Sequence, residues 1–133
     1  MQVHEGEGWR LLVDPARHPF VVLIGGAGWA AELTASEARA LQQGIAQVVA
    51  QRAALADQLM AEEAITLELD QGGLWLELEG EGDRWQLRFV LTPEGSQRGL
   101  EGSWDPAASR AFAAALAQWA LPLEPPSSEP GPI

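Results

Sequence analysis

Two hydrophobic periods divide this chain. Trp9, Leu11 and Val13 alternate with Arg10 and Leu12 before Asp14-Pro15 breaks the run, which predicts a short strand. Phe20 to Ile24 is a continuous β-branched and aromatic stretch ended by Gly25-Gly26. Because Val21, Val22, Leu23 and Ile24 leave no polar face, this second strand is expected to be covered on both sides or nearly so. Trp29 to Leu33, after Gly28, gives a third short strand.

The period then lengthens. Thr34-Ala35-Ser36-Glu37 has the spacing of a capping box, in which the Thr34 hydroxyl accepts from the Glu37 amide while the Glu37 side chain reaches back. Leu41, Ile45, Val48, Leu55 and Leu59 continue a helical stripe that predicts a helix to about Ala61. Arg52 stands where that stripe calls for a hydrophobe. At ~1.5 Å per residue the helix would be near 40 Å long, longer than most strands it could cover. One end is therefore expected to overhang the sheet or touch a partner, and Arg52 is a candidate contact residue.

Alternation returns in Ile65, Leu67 and Leu69 against Thr66, Glu68 and Asp70. Gly72-Gly73 turns the chain, and Leu74, Leu76 and Leu78 alternate with Trp75, Glu77 and Glu79. Past Gly80-Glu81-Gly82-Asp83, Trp85, Leu87, Phe89 and Leu91 oppose Arg84, Gln86 and Arg88, and a weaker strand runs from Arg98 to Trp104. Asp105 as N-cap and Pro106 in the first turn open a last helix with Phe112, Ala115, Leu116 and Trp119 as its buried stripe. These elements predict an α+β domain over residues 1–121. Its twisted antiparallel sheet or sheets hold about seven strands in the order β-β-β-α-β-β-β-β-α, with the helices packed on one side. The order is a loose internal duplication of a sheet-then-helix unit. Residues 122–133 crowd five of the nine prolines and are expected to form a mobile tail.

Composition narrows the chemistry. The 133 residues include no cysteine, which removes disulfide scaffolds, thiol catalysis and thiolate zinc sites. Nineteen acidic residues against eight basic ones, all arginine, give a formal net charge of −11. Nucleic-acid affinity draws on Lys and Arg that release phosphate counterions, so this balance disfavours DNA, RNA and anionic lipid. No apolar run approaches the ~18 residues of a membrane span, and MQVHEGEGWR has neither a basic nor an apolar targeting region. A cytoplasmic location is expected.

Catalytic candidates are weak. His4 and His18 lie in or beside predicted loops without a metal-binding spacing, Glu62-Glu63 follows the long helix, and Ser96, Ser103 and Ser109 lack a nucleophile motif. Gly26, Gly28 and Ala31 imitate the G-x-G-x-x-A dinucleotide spacing, but that motif must open a helix, and the capping box starts the helix at Thr34. A glycine-rich hairpin accounts for the stretch better. No catalytic residue, metal or cofactor is assigned.

The strings GEGWRLLVDPARHPFVVLIGGAGWAAELTASEA, DQLMAEEAITLELD, LWLELEGEGDRWQLRFVLT and RGLEGSWDPAASRAF resemble a small cyanobacterial family known as domain of unknown function 1818. The resemblance spans roughly residues 6 to 120. It implies a fold like that of the single-stranded-DNA-binding transcriptional regulators, which include the plant Whirly proteins and a eukaryotic transcriptional coactivator. It implies no activity and carries over no catalytic residue.

If the leucine rows face the helices, the opposite face of the second sheet carries Trp75, Arg84 and Arg88 together with Glu68, Asp70, Glu77, Glu79 and Glu101. Single-strand binders combine cations with aromatic platforms. Here carboxylates outnumber arginines, and cross-strand Glu neighbours are placed to pair with Arg84 and Arg88. Four of the six tryptophans, Trp9, Trp85, Trp104 and Trp119, fall in phase with apolar neighbours. Trp75 falls out of phase and is either a contact residue for a protein partner or a ring lying across a sheet edge or under the tail. The expected function is a non-enzymatic interaction or regulatory module, with single-stranded nucleic-acid binding through the Arg/Trp face as the alternative. A protein partner is expected, and a second copy of the chain is an open one.

Overall fold

The computed structural model describes residues 1–58, 63–92 and 99–119, leaving aside the Asp57 side chain. Among the described residues, eight strands and two α-helices follow in the order β1 (Gln2–Gly6), β2 (Trp9–Val13), β3 (Val22–Gly26), β4 (Trp29–Leu33), α1 (Ala35–Leu55), β5 (Ala64–Gln71), β6 (Leu74–Glu81), β7 (Arg84–Leu91), β8 (Leu100–Trp104) and α2 (Pro106–Gln118). They form two four-stranded antiparallel sheets, β1-β2-β3-β4 and β5-β6-β7-β8, each followed in the chain by a helix. The α+β class and the sheet-then-helix duplication are therefore present.

The expected seven strands become eight. β1 was missed because all five of its residues are exposed, so no buried face prints an alternation on QVHEG. His4, expected in or beside a loop, lies within this edge strand. The second expected strand extends through Gly25 and Gly26 rather than stopping before them. In the weak fourth strand of the second half, regular pairing covers Leu100–Trp104; Arg98 lies outside the described residues.

α1 is shorter than its stripe suggests. The Thr34 capping box forms with both hydrogen bonds, but the helix ends at Leu55 and tightens into a 3-10 turn over Ala56–Gln58. Nothing in the local sequence stops it, since no Gly or Pro stands there. The constraint is tertiary: β5 pairs with β6 from Ala64 opposite Glu81 onward, so the chain must leave the helix to reach that register. Leu41, Ile45 and Val48 are buried as expected and Leu55 is half-buried, while Leu59 and Ala61 fall outside the described residues.

The core lies between the sheets' inner faces and the helices. α1 packs on β5 and β6, and α2 on β7 and β2. Phe112 of α2 stacks on Trp104 with ring centroids 4.3 Å apart. In α2 the expected stripe holds for Phe112, Leu116 and Trp119, whereas Ala115 is half-buried and the inward positions also include Ala108, Ser109 and Ala113.

Two tryptophans stitch the sheets together reciprocally. The Trp29 indole N–H donates to the Ser103 carbonyl in β8 at 3.0 Å, and the Trp104 indole N–H donates to the Gly25 carbonyl in β3 at 2.9 Å. Their rings lie 5.2 Å apart. This explains the glycine-rich stretch that imitates a dinucleotide fingerprint. It is the β3–β4 hairpin, and a Cβ at Gly26 would fall 2.6 Å from Trp29 Cε2.

Candidate interaction surfaces

Alternate residues of β5 to β8 point to opposite sides. Leu74, Leu76, Leu78, Leu87, Phe89 and Leu91 are buried against the helices. The register puts their neighbours in rows across the outer face: Asp70, Trp75, Val90 and Glu101 in one, and Glu68, Glu77, Arg88 and Ser103 in the next. Glu79 lies opposite Gln86, and Glu81 opposite Arg84. The face thus holds six carboxylates and two arginines, one carboxylate more than the sequence pattern placed there.

Trp75 and Arg88 come together. The Arg88 guanidinium carbon lies 5.2 Å from the centre of the Trp75 ring, within cation–π range. Trp75 is half-buried, which places it on the sheet surface beneath its arginine. Glu77 faces Arg88 directly across the strand pair, so the cation is flanked by a ring and a carboxylate. Arg84 sits at the far end of the face, exposed and opposite Glu81.

Arg52 does not join this group. Its guanidinium donates to the Gly82 carbonyl in the β6–β7 turn, while its Nε is buried without a hydrogen-bond partner. The residue that interrupts the apolar stripe of α1 thereby ties the end of that helix to the second sheet.

A second surface was not marked by sequence reasoning. Between α1 and α2 opens a cleft of about 670 Å³, with Ile45, Val49 and Leu116 in its walls and Trp85 among its lining residues. The remaining lining is largely alanine, with Gln42 and Arg110 as the polar members. Gln42 is structurally committed, since its side-chain amide donates to the Leu116 and Trp119 carbonyls at 2.7 and 2.9 Å and so satisfies carbonyls at the C-terminal end of α2. The sequence signal was the run of uncharged Ala and Gln on both helices.

The groups weighed for catalysis have structural surroundings. Ser109 is fully buried; its hydroxyl donates to the Trp104 carbonyl and accepts from the Leu87 amide, closing the end of the β7–β8 ladder. His4 packs edge-on against Trp119 with centroids 4.3 Å apart. Ser103 is exposed, Ser96 and Glu62 lie outside the described residues, and His18 is exposed. Among the described residues, no three His, Asp or Glu side chains gather to hold a metal ion, and no helix is long and apolar enough to cross a membrane.

Comparison with known proteins finds a matching family model and similar solved structures. The model of a family described as Domain of unknown function (DUF1818) matches residues 4–119. The chain is also similar to a crystal structure of a protein with unknown function from the DUF155 family of Prochlorococcus sp. NATL2A, at 36% sequence identity and a TM-score of 0.82. That similarity covers 87% of this chain and 96% of the other. No curated protein matches the chain.

Proposed function

The chain belongs to the DUF1818 family, and from that premise we propose that it is a non-enzymatic interaction or regulatory module, built on a fold resembling the Whirly-like single-stranded-DNA-binding transcriptional regulators. The partner is a protein that presents a basic segment to the outer face of the second sheet. One observation carries this proposal: a half-buried Trp75, capped by Arg88, lies on a face where six carboxylates outnumber two arginines. An aromatic anchor surrounded by charge of one sign suits a partner of opposite charge, because the ring supplies contact area and the field steers encounter. The non-enzymatic part is supported by the structural employment of Ser109 and His4. The resemblance in fold is supported by two antiparallel four-stranded sheets, each followed by a helix.

Single-stranded nucleic acid is the second reading, favoured only by the paired ring and guanidinium of Trp75 and Arg88. Fluorescence anisotropy separates the two. A labelled arginine- and lysine-rich peptide is expected to bind in a salt-sensitive manner, and Trp75→Ala is expected to weaken it by about tenfold or more, the size of a modest hot spot. Salt-sensitive binding of a labelled single-stranded oligonucleotide, abolished by Arg84→Ala with Arg88→Ala, would replace this proposal with the nucleic-acid one.

A further inference from the structure

The helices differ in charge from the rest of the chain. α1 and α2 together contain a single carboxylate, Glu37, and three arginines, Arg39, Arg52 and Arg110, in a protein with 19 acidic residues. The Glu37 carboxylate accepts from the Thr34 amide in the capping box, Arg52 donates to the Gly82 carbonyl, and Arg110 lies 3.5 Å from Asp83. Between these ends, Gln43, Ala46, Gln47 and Ala50 of α1 and Ala114 and Ala117 of α2 are exposed and uncharged. A helix that faces only water ordinarily carries charge on its outer side. Here that side is alanine and glutamine, flanking a cleft of about 670 Å³ that Trp85, Ile45, Val49 and Leu116 line.

We propose that a second copy of this chain covers the helical layer, α1 and α2 of one molecule packing on α1 and α2 of the other across a two-fold axis. This surface is separate from the acidic sheet face. Three physical points select a second copy over another occupant. Two molecules of net charge −11 repel, and meeting through the helices sets the contact on the elements that carry only one of the 19 acidic residues. Depletion of charge is also what distinguishes the centre of an interface from ordinary surface.

Size is the third point. Helices of 21 and 13 residues, at ~1.5 Å per residue and ~10 Å across, present a footprint of roughly 30 by 20 Å. That is the scale of the ~800 Å² per partner a stable interface buries, and it exceeds what a small molecule would cover. The alanines let facing helices approach to the short end of the ~8–10 Å interaxial range. A two-fold arrangement is the one in which a single patch can complement itself.

Sedimentation of the full chain over a range of concentrations tests the proposal. The wild type is expected to reach twice the 14.3 kDa chain mass. Ala46→Glu and Ala114→Glu, both at exposed positions, are expected to keep the wild-type circular dichroism and to weaken association by about tenfold or more. Ala30→Glu adds the same charge at an exposed position of β4 and is expected to leave association unchanged. A monomeric wild type would overturn the proposal, whether the cleft then takes up an apolar dye, as a small-ligand site would, or excludes it. Dissociation by Ala30→Glu as complete as that by Ala114→Glu would also overturn it, by assigning the effect to net charge.

Discussion

The outer face of the second sheet and the outer side of the helical layer both meet solvent, yet one gathers six carboxylates around Trp75 and the other shows alanine and glutamine. Folding alone does not require this difference, because either surface would tolerate charge at exposed positions. On β7 the same strand serves both sides: Arg84, Gln86 and Arg88 point outward, while Trp85, Leu87 and Phe89 are buried. The outward set is one side chain deep and free to specialise in charge. The charge-poor helical surface lies directly over the core, and its cleft reaches Trp85. The lesson is that the charge pattern distinguishes surfaces that hydrophobic burial treats alike.

The sharpest way to break the contrast is to cut beneath the helices. Trp85→Ala removes a ring only 9% exposed and is expected to cost about 3–5 kcal/mol, as large-to-small core substitutions do. Urea unfolding followed by circular dichroism reads this; a loss under ~1 kcal/mol would mean the cleft lining is not part of the core. Ser109→Ala comes next. It leaves the Leu87 amide and the Trp104 carbonyl without the hydroxyl that serves both, for an expected loss of about 1–3 kcal/mol in the same assay.

On the sheet face the expected effect is smaller and of opposite sign. Glu68 stands directly across from Glu77, and like charges so placed oppose pairing. Glu68→Gln is expected to raise stability by less than ~1 kcal/mol at low salt. The gain should fade near 1 M salt, where the screening length is only ~3 Å. Thermal melts at two ionic strengths measure it, and a decrease at low salt would show that the carboxylate pair is held by something other than mutual repulsion.

Much of this was legible in the residues. The period-2 rows of β6 and β7 assign inner and outer faces as the structure has them, with Trp75, Arg84 and Arg88 on one face. The capping box and the Asp105 N-cap fixed both helix starts. β1 was invisible because an edge strand with both faces exposed has no apolar period to print. The helical cleft left little trace in the sequence, because its mark is the scarcity of charge on α1 and α2, a single carboxylate and three arginines, rather than a motif. The bond from Arg52 to the Gly82 carbonyl was not legible, because a sequence cannot show which turn carbonyl lies beside a helix end.

What the sequence determined by itself was local: which residues alternate, where helices begin, which glycines turn the chain and how acidic the whole must be, each set by forces acting within a few residues. Tertiary structure alone decided where α1 stops, which tryptophan indoles bridge the two sheets, that Arg88 folds onto Trp75, and that α1 and α2 frame a cleft lined mostly by alanine with Arg110 as its charged member. Those outcomes depend on contacts between segments far apart in the chain, whose register and packing exist only once the sheets and helices have closed on one core.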